Sequence, residues 1–321
     1  MSVLFVTDPL QGLHPDIDAS IGLMAATQAI GSDVWGCGPE DLSVATGRVR
    51  ARATRIRLAD RHRGNDHRWV VERDWWQEVD RRDLDVAADT DLVMLRIDPP
   101  VDARYLHTTY LLDLVETHGG CVANHPAGIR ALHEKLLALQ FPDLCPETVV
   151  TADPREVLDL LSRVGRAVVK PVDGFAGLDA WLLGADSCAR SLAESATLGG
   201  RRHVIAQAYL EDVRRGNKRL FVLDGDVVGA VLRRPAADDF RIGPPMAQAE
   251  VDDDDRRIVA ALAPLLGAHG ISLAGLDVIA GRLIEVNVTC PGGMHKTDAL
   301  LGTDLSGAVM RRLLLTESVP S

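Results

Sequence analysis

Three oxygen-bearing side chains, Asp277, Glu285 and Asn287, interrupt the apolar run GLDVIAGRLIEVNVTCPGG at residues 275–293. Side chains alternate between faces along a strand, so Glu285 and Asn287 point the same way. Asp277 joins them only if a hairpin pairs it with Glu285, which needs an odd-length loop such as Ala280-Gly281-Arg282. A two-residue turn would send it to the other face. With the odd loop, two carboxylates converge and no cation stands beside them in the local sequence. Burying such a pair is costly unless a hard metal ion neutralises it. Oxygen ligands of this kind suit Mg²⁺, which commonly sits between carboxylates and nucleotide phosphates. The alternative is a set of solvated polar positions on an exposed sheet face.

Cations for a phosphate are sought elsewhere in the chain. Arginine supplies nearly all the basic residues, and lysine occurs only at Lys135, Lys170, Lys218 and Lys296. A compact ammonium and a guanidinium are not interchangeable where a point charge must reach a phosphate in a narrow space. VVKPVDGFAG places Lys170 at a strand end with Asp173, Gly174, Phe175 and Gly177 just beyond. Backbone N–H groups there can approach a phosphate while the lysine supplies charge. The spacing of a Walker A loop is absent, and a strand-turn-strand connection with an accidental lysine is the alternative. Lys135 is expected in a helix beside Leu132, Leu136 and Leu139, leaving from the edge of its buried face. IAQAYL, with Gln207, Tyr209 and Leu210, reads as an interlobe linker offering an apolar slot for adenine. Gly216-Asn217-Lys218-Arg219 opens a strand from which Arg219 can grip a carboxylate or a γ-phosphate bidentately.

The elements that must position these groups follow from periodicity. VLFVT at residues 3–7 reads as a buried parallel strand, followed by a helix from Asp18 to Ile30. This strand-helix order begins an α/β domain, and no GxGxxG follows the first strand, which disfavours a dehydrogenase-type dinucleotide fold. VRARATRIRL, residues 49–58, reads as a strand with one wet face, and RHRGNDHRW as a surface excursion. DTDLVMLRIDPP gives a further buried strand ending in Arg96 and Asp98. Helices are expected at Tyr105–Glu116, Pro126–Leu139, Pro154–Val164 and Asp253–Ala268, with strands at 148–151, 166–171, 180–184, 203–210, 219–225 and 226–233. The four aspartates Asp252 to Asp255 read as capping and solvation of the last helix.

Composition bounds the rest. With 321 residues the chain is long enough for two or three domains, and 46% hydrophobic against 25% charged residues excludes a largely disordered chain. No apolar run approaches the ~20 residues of a membrane span. MSVLFVTDPL lacks a basic n-region and reads as a first strand, not a signal peptide. A net charge of -11 argues against nonspecific binding to nucleic acid or anionic membrane. The five cysteines are dispersed, with no metal-finger or CxxC spacing, which fits small buried hydrophobes in a reducing cytoplasm. Only Cys290 stands beside the candidate site. The scattered histidines give zinc hydrolysis no support.

Two lysines, a glycine-containing flap, an interlobe linker and a D…ExN hairpin, in this order, resemble the ATP-grasp ligases, and most closely the bacterial glutathione synthetases. TDPL, LRIDPP, NHPAGIRALHEKL, PETVVT, VKPVDGFAG, IAQAYL, GNKRLFVLDG and GLDVIAGRLIEVNVTCP carry the resemblance over nearly the whole chain. It implies an α/β protein with an N-terminal parallel-sheet domain (1–122), a small ATP-grasp lobe (123–206) and a large lobe (207–321), the α+β lobes clasping ATP. It further implies a homo-oligomer, dimer or tetramer, acting on small amino-acid or dipeptide substrates. A carboxylate is phosphorylated to an acyl phosphate, and an amine then forms the amide.

Carried over by residue, Lys135 and Lys170 match the phosphate lysines and Gly174 to Gly177 the covering flap. Asp277, Glu285 and Asn287 match ligands of Mg²⁺, with Mn²⁺ as a substitute. Arg96 and Arg219 resemble arginines near the donor carboxylate and the transferred phosphate. The Gly292-Gly293 amides match the acceptor-carboxylate site, and Ser20 and Asp98 belong to the substrate set. Two departures stand out. The stretch RPAADDFRIGPPMAQAE is shorter than the family's glycine-rich lid, Arg241 alone standing for its arginines, and Asn217 occupies a position where an acid is expected. The donor and acceptor, γ-glutamylcysteine and glycine in the family, are therefore open. So are a peptide ligase of other specificity and an idle nucleotide-binding regulator.

Overall fold

The computed structural model describes residues 1–71, 74–174, 179–236, 239–241, 243 and 245–316. Among them three main sheets carry the fold. In the first, the strands Leu42–Ala45, Arg48–Leu58, Asp33–Cys37, Ser2–Thr7, Leu92–Arg96 and Val122–Ala123 lie side by side in that order, and Trp76–Asp85 also pairs with Arg48–Leu58. Its centre is parallel, as the unbroken apolar run of Ser2–Thr7 requires: a strand covered on both faces cannot alternate. Arg48–Leu58 alternates with one shift of parity at a bulge between Arg55 and Ile56, burying Val49, Ala51, Ala53, Ile56 and Leu58, while Arg48, Arg52 and Arg55 pair with Asp85, Asp41 and Asp33. The expected first helix is Ala19–Ala29, capped by Asp18, whose carboxylate accepts from Ser20 N at 2.7 Å.

The second sheet orders Thr148–Thr151, Val204–Ala208, Arg166–Pro171 and Trp181–Gly184, all antiparallel, against the helices Pro154–Val164 and Ala189–Ala196. Along Arg166–Pro171 the side chains of Ala167, Val169 and Pro171 enter the core beneath. Period-two alternation therefore turns Val168 and Lys170 to the other face. The third sheet orders Pro245–Gln248, Asp226–Arg233, Asn217–Leu223, Leu273–Ile279 and Arg282–Asn287. The helix Asp253–Ala268 packs on it through Ile258, Leu262 and Leu266. It starts with a capping box between Asp252 and Asp255. Asp255 caps as expected but is fully buried, where it also binds Lys218 Nζ at 2.6 Å, so it is an ion-pair partner and not solvated.

Two local expectations change. The helix starting at Pro126 ends at Ala131, and a short 3-10 segment follows at Leu137–Gln140, so Lys135 is not helical. Tertiary bonds override helix propensity here. The Glu134 carbonyl accepts from Val286 N, and one oxygen of its carboxylate accepts from Val288 N, Thr289 N and Thr289 Oγ1. The hairpin at Leu273–Asn287 turns through two residues, Ala280 and Gly281, both at positive φ, and not through an odd loop. Parity is restored one step later by a β-bulge: Val278 pairs with Leu283, Asp277 with Glu285, and Ile284 is the extra residue.

Candidate active site

A cleft of about 820 Å³ opens between the second and third sheets and extends to the start of Ala19–Ala29 and the end of Leu92–Arg96. Register alone assembles its floor. Arg219 stands opposite Asp277 on one side, Glu285 stands opposite Asp277 on the other, and Asn287 stands opposite Gly275. All four of Arg219, Asp277, Glu285 and Asn287 line the cleft. Because the bulge puts two successive residues against Asp277, Ile284 and Glu285 both face inward. Gly275 makes room in this row: a Cβ there would lie 2.9 Å from Arg219 Nη1.

The two carboxylates do have cations beside them, from distant parts of the chain. Arg219 grips Asp277 bidentately, Nε to Oδ1 at 2.6 Å and Nη2 to Oδ2 at 3.1 Å, and Arg233 bonds the same Oδ1. Burial pushes the Asp277 pKa up, but the two guanidinium groups outweigh it and hold the carboxyl at about 2. Glu285 lies 3.8 Å from Lys135 Nζ and 4.0 Å from Lys170 Nζ. Burial draws the Lys170 pKa below the usual lysine range; Glu285 opposes this and neighbouring Lys135 adds to it. The inference that only a metal ion could neutralise this pair is thus overturned, although the shared face of Asp277 and Glu285 stands. Among the described residues no three His, Cys, Asp or Glu side chains are grouped to hold a metal. The donors suited to one are the hard oxygens of Glu285 and Asn287: the Asn287 amide nitrogen is spent on Gly275 O at 3.0 Å, which leaves its amide oxygen for the cleft.

Other predicted residues divide by location. Lys135 donates to the carbonyl of Gly174, and Asp173 is an exposed residue 3.4 Å from His133 Nε2, outside the cleft lining. Phe175 and Gly177, together with Ala176, lie outside the described residues. Gln207, Tyr209 and Leu210 line one end of the cleft with the apolar side chains of Val168, Val213 and Ile279. Gln207 bonds Thr148 Oγ1 at 3.0 Å, and the Tyr209 ring lies 4.4 Å under the Arg166 guanidinium. Asn217 is fully buried behind Arg233, accepting from its Nη2 at 2.7 Å, and does not line the cleft. It is placed to orient an arginine, not to touch a nucleotide.

At the opposite end Arg96 is buried, bonding Ser20 Oγ at 3.4 Å and Pro291 O at 3.2 Å. Ser20 itself stands behind Arg96. Neither Arg96 nor the half-buried Lys296 has an ion-pair partner among the described residues, and both line the cleft with Asp18, Asp98, Cys290, Gly292 and Gly293. Surrounding protein pushes the Asp98 pKa up, with Asp18 and Asp8 adding to it, although the residue reaches solvent. Burial likewise raises that of the Cys290 thiol, which keeps it protonated. Arg241 is at the mouth, exposed and bound to Asp239 at 2.7 Å. Glu134, Arg233 and Lys296 were not assigned to the site from the sequence; the scarcity of lysine was a signal for Lys296 and the neighbourhood of Lys135 one for Glu134, whereas Arg233 acts through a contact across strands.

This constellation has counterparts in known proteins. Residues 1–130 match the N-terminal domain, and residues 134–302 the ATP-grasp domain, of the prokaryotic glutathione synthetases. A glutathione synthetase of Thermosynechococcus vestitus is 39% identical over 317 residues, spanning 97% of this chain and 98% of its own. One from Gloeobacter violaceus is 38% identical over 320 residues, spanning 97% and 95%. The chain belongs to the prokaryotic glutathione synthetase family. It is an ATP-dependent ligase of the ATP-grasp fold, and the family's use of ATP with a divalent metal ion comes with it. The idle-regulator alternative is set aside. In fold, a D-cycloserine synthetase superposes with a TM-score of 0.66 at 20% identity, covering 99% of this chain and all, 100%, of that one. An ATP-grasp ligase complexed with a phosphomimetic variant of a minimal precursor, Mg and ADP superposes with a TM-score of 0.62 at 18% identity, covering 99% of this chain and 98% of that one. No helix among the described residues is long and apolar enough to cross a membrane.

Proposed function

We propose that this ligase joins γ-glutamylcysteine to glycine, with Mg²⁺ as the metal. The observation that carries the reading is the pairing of Lys135 and Lys170 about Glu285 in a cleft whose other end holds Arg96 and Lys296, neither with an ion-pair partner among the described residues. The lysine end suits a triphosphate and the other end an anionic substrate, with the reacting groups between them. In this reading Gln207, Tyr209 and Leu210 hold adenine, and Glu285 and Asn287, with Asp277 beside them, would hold the metal ion. Bound there, the ion would offset charge as the phosphoryl group moves.

The chain's own groups do the remaining work. Lys135 and Lys170 orient the phosphates, and Lys135 trades the Gly174 carbonyl for a phosphate oxygen when ATP arrives. Arg96 fixes the donor carboxylate so that its oxygen attacks the γ-phosphorus in line and ADP leaves. The amine of glycine, its carboxylate held by the Gly292-Gly293 amides, then attacks the acyl carbon, loses a proton and displaces phosphate. Arg241 closes over the donor. The domain division at residues 122 and 206, a homo-oligomeric state and a cytoplasmic location belong to the same reading. A specific alternative rests on the short lid, residues 234–252, whose strand Pro245–Gln248 is packed against Asp226–Arg233: a related dipeptide donor or other small acceptor. ADP release measured over a matrix of donors and acceptors decides between them. Highest kcat/KM with γ-glutamylcysteine and glycine is expected, and faster release with another pair would refute the assignment.

A further inference from the structure

Across the molecule, one arrangement ties an N-terminal excursion to the substrate end of the cleft. The hairpin of Arg61–Arg63 and Trp69–Val71 leaves the first sheet and lands on the helix Met294–Leu301. Trp69 stacks on His295 with centroids 5.3 Å apart and planes at 15°, and its Nε1–H donates to His295 O at 2.8 Å. The Arg61 guanidinium lies over the same indole, 4.6 Å from the ring centre. Arg63 donates to the carbonyl of Leu300, in the last turn of that helix, where a cation is favoured. One hairpin therefore grips both ends of one helix. His295 is fully buried and bonds Pro15 O at 2.9 Å, and burial lowers its pKa to about 4, so it is an uncharged anchor. The helix Ala19–Ala29 closes the other side: a Cβ on Gly22 would meet His295 Nδ1 at 3.0 Å.

What the anchor holds is the following residue. With His295 locked inward, the turn of a helix carries Lys296 about 100° around, into the cleft lining beside Gly292 and Gly293. Lys296 has no carboxylate to hold it among the described residues, so its direction depends on the backbone that carries it. We propose that Trp69 is a positioning residue for substrate binding: by clamping His295 it fixes the helix Met294–Leu301 and aims Lys296 at an anionic group of the substrate. This rests on the substrate end of the cleft being where the preceding section places it.

The test compares Trp69→Ala, Trp69→Phe and Lys296→Ala in the full-length enzyme. Without ligand, hydrogen exchange at the amides of 294–301 should be roughly tenfold faster in Trp69→Ala, with Trp69→Phe intermediate because it keeps a stack and loses the N–H bond. ATP affinity should change less than about twofold. For γ-glutamylcysteine and glycine, Trp69→Ala and Lys296→Ala should raise KM of the same one of the two substrates by roughly tenfold at little change in kcat, and the double variant should be no worse than the worse single one. Unchanged exchange in the helix, equal loss of ATP affinity, or additive KM effects would each overturn the proposal. Wild-type enzyme idle on both substrates would refute the substrate assignment instead, and the exchange result would still judge the clamp.

Discussion

Asp277→Asn should destabilise this protein far more than a neutral-for-charged swap at the surface. The carboxylate is 5% exposed and accepts from two guanidinium groups, that of the buried Arg219 and that of the largely covered Arg233. Two routes set the size. A carboxyl held at about 2 in the fold against 3.8 outside it is worth about 2 kcal/mol at ~1.4 kcal/mol per pH unit. Removing one partner of a buried ion pair leaves uncompensated charge and costs about 3–5 kcal/mol. The expected loss is therefore about 2–5 kcal/mol in urea unfolding, followed by the emission of the tryptophans. The pH dependence has a definite sign: the folded pKa is depressed, so this contribution is present above roughly pH 4 and fades as pH falls through about 2. Asp277→Asn should lack that acid-side dependence. Adding Arg233→Met to it should recover part of the loss, since the second change removes a charge left without its partner. A loss below about 1 kcal/mol, or strict additivity of the two changes, would refute the claim that arginines and not solvent balance this carboxylate.

Further outcomes follow from other residues of the cleft. Lys170→Met should weaken ATP binding roughly 10- to 100-fold, the worth of a charge-assisted bond, with an unchanged circular dichroism spectrum. Because burial lowers the Lys170 pKa and a phosphate would raise it again, ATP binding at alkaline pH should take up protons, seen by calorimetry in two buffers and absent in Lys170→Met. Glu134→Ala should cost at least about 1–3 kcal/mol of stability and raise KM for ATP, because three donors lose one acceptor oxygen, whereas Glu134→Gln keeps an oxygen there and should cost less than about 1 kcal/mol. Arg241→Ala, on an exposed side chain, should leave the melting temperature in place and lower turnover roughly tenfold while ATP affinity is retained. Unchanged turnover would make residues 239–245 a surface connection.

Much of the site was legible because it is local. Period-two alternation placed Glu285 with Asn287 on one face, Lys170 was expected at the end of its strand, and the helix expected from Asp18 is Ala19–Ala29 with Asp18 as its cap. For Asp277 and Glu285 to share a face, the hairpin between them needed a parity change. A bulge at Ile284 and an odd loop satisfy that demand equally, and nothing in the local sequence chooses between them. The packing of Ile284 into the cleft accompanies the bulge.

Tertiary structure decided the charges. Asp277 has no cation near it in sequence, yet strands 58 and 44 residues away bring Arg219 and Arg233 onto it. Lys135 leaves the helix its leucines suggested because Glu134 is bound 154 and 155 residues away by Val288 and Thr289. His295 and Trp69 meet across 226 residues. Hydrophobic periodicity is set by an element's own geometry, so it can be read along the chain. An ion pair is set by whichever strands the sheet order makes neighbours, and that order exists only after the whole chain has folded.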